Sequence, residues 1–392
     1  MAAYYILRPV RDAMASDWSD VEVSWLWTIN FFASTALVAI YGWIVSRLRL
    51  RFVVPAVYTF FSLSFIVFYL SLRTGVTADW VDKAFYVWVS VFALFHVSVF
   101  WSFMAETFNQ NQAARLFSVI AAGASLGAII GPLISAVLVQ VLKPQSMMLV
   151  CAALILIPLP ISAKLHALRG TALENNNLCP VSPESKIGGN PLHGFAEFFT
   201  NPYLLGIGIF IILYTGIGSF VYFEQKNLLA TYSRADRTTI YGIRDAVTNT
   251  ITFALAFFVT GRLVPRLGMS VALVIVPTVI FTGMLILAVS PVLTIAIALW
   301  IARSAGNYGL VRPCREMLFT KVDRESRFKT KPVIDIVAYR GGDVIMAWFF
   351  SGLTQGLGLG MGGVGLVGAG LAVLWGIAGF LLGRNFRDRT IT

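Results

Sequence analysis

Charge is what this sequence has least of. Asp, Glu, Lys and Arg make up 12% of its 392 residues, about half the share found in an ordinary soluble domain, and that scarcity excludes a water-solvated globular fold. Cysteine is scarcer still. Cys151, Cys179 and Cys314 are too few and too scattered for a disulfide frame or a zinc site. His96, His166 and His193 are equally isolated, so no metal ligands are assigned. No GxxxxGK[ST] stretch occurs, which removes the Walker A loop and ATP hydrolysis as a power source. No nucleophile stands beside a base, so no catalytic residue is assigned, no cofactor is expected and an enzyme is not the reading. A charged start, short apolar core and small-residue cleavage site are also missing, so no signal peptide is read.

What the sequence does hold is apolar runs. Hydrophobic residues reach 57%, and a membrane span takes about 20 of them in a row. Eleven runs qualify: 23–45, 52–72, 85–105, 116–142, 146–163, 203–225, 239–261, 269–289, 291–311, 333–355 and 363–383. Residues 1–15 make half of a twelfth, so the first helix is expected to be truncated. The partner surface is therefore a lipid bilayer.

The net charge of +11 could suggest a nucleic-acid binder, but its distribution points elsewhere. Eighteen Lys and Arg fall in alternate loops: Arg47, Arg49, Arg51; Arg115; Lys164, Arg169, Lys186; Arg262, Arg266; Arg315, Lys321, Arg324, Arg327, Lys329, Lys331; and the tail with Arg384, Arg387, Arg389. The opposite loops hold six, Arg73, Lys83, Lys143, Lys226, Arg234 and Arg237. That asymmetry is the positive-inside signature. It places the C-terminus and the long central loop in the cytoplasm of a multi-pass protein, read as one of a bacterial inner membrane, with no nucleic-acid partner.

Residues 164–202, including LENNNLCPVSPESKIGGNP, have the Asn, Ser, Pro and Gly content of a flexible connection. They separate an N-terminal helical half, 1–163, from a C-terminal one, 203–392. The stretch 100–132 and the stretch 309–342 share a layout, a wet loop ending in Arg-Leu-Phe or Arg-Phe and then a helix opening into small residues. An all-α polytopic membrane protein with two parallel six-helix halves has the layout of the major facilitator fold, with a substrate site at the midplane. A monomer is expected. Overlapping GxGxxG matches between Gly358 and Gly368 follow no soluble strand and read as close helix packing. GASLGAIIGP, 123–132, also reads as a packing face, in which Gly127, Gly131 and Pro132 can serve gating by letting the helix bend.

Charges inside spans carry the functional signal, because each costs about 2.5–3.5 kcal/mol at the bilayer centre on insertion scales. Arg8, Arg11, Arg244, Arg303, Arg312 and Arg340 lie within or at the edge of spans, with Asp12, Glu224, Asp245, Asp335 and Asp343 as acidic companions. Arg8, Arg11 and Asp12 share one helix face, which lets Arg8 pair with Asp12, and Arg340 and Asp343 are i, i+3 neighbours. The acids are too few for the arginines, and arginine grips phosphate or carboxylate through two parallel hydrogen bonds. Arg8, Arg11, Arg244, Arg312 and Arg340 are therefore assigned to an anionic substrate. Asp12, Glu224, Asp245, Asp335 and Asp343 are assigned to ion pairing or coupling. His96 reads as a packed or cavity-facing hydrogen bonder, the span tryptophans as interface belts or packing, and Glu106 and Arg115 as a solvated loop or a pair across a gate.

YYILRPVRDA near the start, FEQKNLLA at the end of the sixth apolar run and FKTKPVIDIVAYRGGD further on resemble the ATP:ADP antiporter family, in particular its shorter bacterial relatives. The likeness runs over nearly the whole chain. It implies nucleotide exchange and places family site positions on Arg11 and Asp12, on Arg340 before Gly341 and Gly342, and on Glu224. Where those exchangers carry an acid in the fourth span, this sequence reads YVWVSVF. The function expected is secondary active transport of an anionic solute, a nucleotide or other phosphorylated metabolite, by alternating access. The alternatives are a transporter-fold sensor and a carrier of non-phosphorylated organic anions, peptide-like or siderophore-like.

Overall fold

Backbone polar groups in lipid have to be satisfied within the segment, so apolar runs fold as helices. The described parts of the runs do so in the structure, a computed structural model that describes residues 1–47, 50–73, 78–107, 110–169, 193–322, 334 and 338–388. Helix α1 spans Ala2–Ala15, α2 Asp20–Arg47, α3 Leu50–Arg73, α4 Ala78–Thr107 and α5 Gln110–Val141. The run 146–163 is carried by α6, Met147–Leu156, and α7, Pro158–Arg169, which restarts with proline at its first position, where the missing N–H costs nothing. Then come α8, His193–Thr200, α9, Pro202–Leu229, α10, Arg234–Phe258, and α11, Thr260–Val289. Helix α12, Leu293–Gly306, passes into a π-turn at Asn307–Val311 and then α13, Arg312–Leu318; α14, Tyr339–Ser351, passes into a second π-turn at Gly352–Gly356. Helix α15, Met361–Asp388, ends the described chain. Helices α7 and α8 both reach into the stretch 164–202 that composition assigns to a linker.

Among the described residues, seven helical segments are long and apolar enough to cross a membrane, in α3, α4, α5, the α6–α7 pair, α9, α11 and α15. Of the remaining runs, 23–45 extends past the described side chains, and the other three fall short of that measure for visible reasons. Helix α10 carries Arg234, Asp236, Arg237, Arg244 and Asp245; α12 and α14 are 14 and 13 residues long before their π-turns.

Helix starts are written locally. Ser19 and Glu22 form a capping box on α2, the Glu22 carboxylate accepting from the Ser19 N–H and hydroxyl at 2.9 Å while Ser19 Oγ accepts from the Glu22 N–H at 3.2 Å. Ser233 and Asp236 repeat the device on α10. Asn201 caps α9 through the Tyr203 N–H at 3.1 Å, with Pro202 following it.

The chain divides into two units. The first holds Met1–Asp17, Thr28–Glu184 and Tyr232–Ala246; the second holds Trp18–Trp27, Ser185–Thr231 and Val247–Thr392. Each sequence half thus lends one helix start to the other's unit, α2 in one direction and α10 in the other. In the first unit, α1 packs on α4, α5 and α6. Gly127 and Gly131 of α5 let it approach: a Cβ on Gly131 would stand 2.7 Å from the Ala2 carbonyl oxygen and 3.0 Å from Tyr5 Cβ. The start of α10 uses the same stripe one turn on, where a Cβ on Gly242 would stand 2.7 Å from the Pro132 carbonyl oxygen. Gly127, Gly131 and Pro132 thus form a close-packing face, and their gating role is a proposal. In the second unit, α9 packs against α12, α14 and α15, and α11 lies along α15. Gly362 and Gly365, from the overlapping glycine matches, abut Ala288 of α11.

Candidate functional site

Each unit holds its own arginines. In the first, α1 places Arg8, Arg11 and Asp12 on a shared face, and α10 brings Arg244 and Asp245 to it. Asp12 and Asp245 are each 1% exposed, and so is Arg244. Arg11 donates from Nη2 to Asp12 Oδ1 at 2.6 Å and from Nη1 to Ser90 Oγ of α4 at 3.0 Å. Arg244 Nη2 reaches Asp245 Oδ1 at 2.8 Å and Asp12 Oδ2 at 3.2 Å. Arg8 Nε stands 3.3 Å from Asp245 Oδ2 and 3.9 Å from Asp12 Oδ2, so the i, i+4 partner expected for Arg8 is the more distant one. The guanidinium of Arg244 also covers the Tyr241 ring at 4.4 Å, and that of Arg11 covers Tyr86 at 5.3 Å. Among the described residues, three arginines thus gather around the carboxylates of Asp12 and Asp245.

In the second unit, Arg303 of α12 is buried, 7% exposed. Its guanidinium lies 4.3 Å from the Tyr214 ring centre and 5.7 Å from that of Trp300. It rests on α9 where Gly218 has no side chain; a Cβ there would overlap its Nη2 and Cζ atoms. Among the described residues no carboxylate comes within 4 Å of it, and its Nε has no hydrogen-bond partner. Tyr339 of α14 stands 6.1 Å from Tyr214, ring centre to ring centre. Arg340 and Asp343 of α14 are half-buried and form no ion pair with each other within 4 Å, although their spacing predicts one. Gly342 lets α14 approach α9, since a Cβ there would meet Thr215 Oγ1. Sequence reasoning noted Arg303 as a span charge but left it out of the substrate set; the apolar stretch ALWIARSAG was the available signal.

Other assignments fall out differently. Arg312 is exposed, its guanidinium 5.9 Å from the Tyr308 ring centre. Asp335 and Cys179 lie outside the described residues, as do the side chains of Glu106 and Arg115. His96 is buried, its Nδ1 donating to the Phe92 carbonyl oxygen over 3.1 Å and its ring stacked on Phe92 at 4.9 Å. Lys226, counted from sequence as a loop residue, is a correction: it sits inside α9 and is 1% exposed. The reason is that α9 continues a turn past its apolar run. Lys226 Nζ donates to the Trp18 carbonyl oxygen at 2.6 Å and pairs with Asp20 at 2.9 Å. Asp17 joins Arg234 at 2.6 Å and Arg237 at 2.5 Å, and Arg234 also reaches Asp82 at 2.7 Å. None of these four ion pairs was legible from spacing: three join residues more than 200 positions apart, and Arg234 and Asp82 lie on different helices. Cys151 and Cys314 are free and buried, and burial pushes the Cys314 thiol up to about 11.

Comparison with known proteins agrees with this architecture. The profile of the Major Facilitator Superfamily matches residues 1–325. A search of curated proteins gives no match. Among solved structures, a bacterial homologue of the human lysosomal transporter Spinster, inward-facing and unoccupied, aligns over 99% of this chain and 96% of its own at 15% identity and a TM-score of 0.67. The nucleoside transporter NupG, as a D323A mutant, aligns over 97% and 98% at 13% identity and 0.61. A bacterial homologue of the iron transporter ferroportin, inward-facing, aligns over 97% and 94% at 12% identity and 0.65. At such identities the likeness is one of fold. With a matched profile over most of its length, helices throughout and that fold, this chain belongs to the major facilitator superfamily and is a multi-pass membrane protein with a secondary-transporter architecture.

Proposed function

We propose that this protein is a secondary active transporter of an anionic solute, working by alternating access. One observation carries the reading: Arg303 is a buried guanidinium that forms no ion pair within 4 Å among the described residues, Asp343 acting on it only from farther away. A buried charge without a partner is costly, and an anion supplies the missing partner while using the planar fork of donors that arginine presents. The guanidinium groups that α1 and α10 gather in the first unit, those of Arg8, Arg11 and Arg244, suit the same sign of substrate.

Phosphorylated compounds stand first among the anions, nucleotides included, because the guanidinium is flanked by the Tyr214 and Trp300 rings and aromatic faces stack on bases. The likeness to the ATP:ADP antiporters favours the same class, and one fold neighbour bears the name of a nucleoside transporter. Counterflow in proteoliposomes loaded in turn with ATP, ADP, other phosphorylated metabolites and non-phosphorylated organic anions tests this. Saturable exchange of phosphorylated solutes is the expected result. Exchange limited to non-phosphorylated anions overturns the phosphate preference, and no exchange with any of them favours a sensor. The basic loops favour a bacterial inner membrane with the C-terminus in the cytoplasm, and a monomer is the working assembly. A protease-cleavable tag on that terminus should be cut in inside-out vesicles and spared in right-side-out ones; the reverse pattern overturns the orientation.

A further inference from the structure

Glu224 is a second buried charge-bearing group without a partner, and of the opposite sign. It lies in α9, 1% exposed, and neither carboxylate oxygen has a hydrogen bond or an ion pair among the described residues. The neighbouring charges are already committed. Lys226 stands two positions on, so it does not share a face with Glu224, and its ammonium is held by Asp20 and the Trp18 carbonyl. Asp20 Oδ2 accepts from Thr354 Oγ1 at 3.0 Å and Asn227 Nδ2 at 3.4 Å. Glu22, the other acid at the start of α2, belongs to its capping box. On the same face of α9, Phe220 and Val221 are fully buried and apolar.

The charges on the other helices packed against α9 are elsewhere. Arg303 of α12 meets α9 at Gly218 and Gly342 of α14, beside Asp343 and Arg340, meets it at Thr215. Those levels are about 9 and 13 Å along the helix axis from Glu224 at 1.5 Å per residue. Arg384 and Arg387 of α15 and Glu197 of α8 belong to the far end, where α15 meets α9 at Gly206 and Leu382. Among the described residues Asp20 is therefore the charge acting on Glu224, and it is negative. An ionised carboxylate in that setting faces repulsion and lost hydration together, and groups so placed neutralise instead.

We propose that Glu224 binds an exchangeable proton and is a neutral carboxylic acid in this state of the protein. The site is separate from the arginines. It goes beyond the anion reading by supplying a place for a coupling ion on the helix that supports Arg303.

Infrared spectroscopy of the purified protein in detergent tests the proposal without any solute. At neutral pH a carboxylic-acid C=O band should be present, should shift on incorporation of ¹³C-glutamate and on transfer to D2O, and should be missing from Glu224→Gln. The isotope shift assigns the band to glutamate even if the variant folds poorly. Three outcomes overturn the proposal: no glutamate acid band at neutral pH, a band that persists in Glu224→Gln, or a band that vanishes when NaCl replaces choline chloride, which makes a metal cation the occupant. None of these depends on transport, so failure of the anion reading leaves the result interpretable.

Discussion

Arg303→Met is expected to abolish uptake while leaving the fold as stable as before or more so. The reason is the same for both halves of that outcome. Among the described residues the guanidinium forms no ion pair within 4 Å, Asp343 acting on it only from farther away, so removing it breaks no buried salt bridge and takes a weakly compensated charge out of the interior. A bound anion, by contrast, loses its charge-assisted hydrogen bonds, a loss of about 2–5 kcal/mol, or roughly 30-fold to several thousandfold in affinity. Arg303→Lys keeps the charge but not the fork and should recover only part of the activity. Gly218→Ala should reproduce the defect, since its methyl group would occupy the space of Nη2 and Cζ. Counterflow rates alongside thermal unfolding midpoints decide the matter. Normal exchange by Arg303→Met, or a fall in its midpoint with exchange intact, would assign Arg303 to packing.

The first-unit cluster should answer mutation with the opposite sign. Asp12 accepts from Arg11 and Arg244 with 1% of its surface exposed. Asp12→Ala therefore takes from Arg11 and Arg244 a buried carboxylate to which both donate. Breaking a buried pair from one side costs about 3–5 kcal/mol, a large fraction of a typical domain's stability. The variant should accumulate poorly and unfold early. Removing Arg244 as well should restore part of the loss, because the two changes act on one contact and do not add. Fluorescence-detected gel filtration after a heat step measures this directly. Equal midpoints for the wild type and Asp12→Ala would mean that the cluster is hydrated and contributes little.

Much of this was legible in the sequence, for identifiable reasons. Lipid forces apolar segments to be helical, so the apolar runs marked the helices, and the layout of parallel six-helix halves about a polar connection pointed to a major facilitator. The i, i+3, i+4 spacing correctly grouped Arg8, Arg11 and Asp12. It could not supply Asp245 and Arg244, which come from a helix more than 230 positions later. Spacing also predicted a pair between Arg340 and Asp343 that the side chains do not form. Arg303 was visible as a charge among apolar residues, but its importance rests on what is missing opposite it, and a one-dimensional pattern does not record an empty neighbourhood. Lys226 looked like a loop residue because polar FEQKN follows a long apolar run; helical geometry continued regardless.

The first π-turn has a bearing on how such a helix is read from its sequence. A π-turn accommodates one residue more than an α-helix does over the same stretch, and one residue of α-helix is about 100° of rotation. Beyond Asn307–Val311, where α13 continues from α12, the compass bearing of every side chain is offset from a count that assumes unbroken α-helix. Projecting 291–311 and its continuation onto one helical wheel therefore sets Arg312 on the wrong azimuth relative to Arg303. Shortening that turn by a single residue would swing α13 by about a quarter of a revolution and exchange its faces in part. The second π-turn, Gly352–Gly356, ends its helix instead, so the phase is stored at Asn307–Val311, and an insertion or deletion there acts as a rotation.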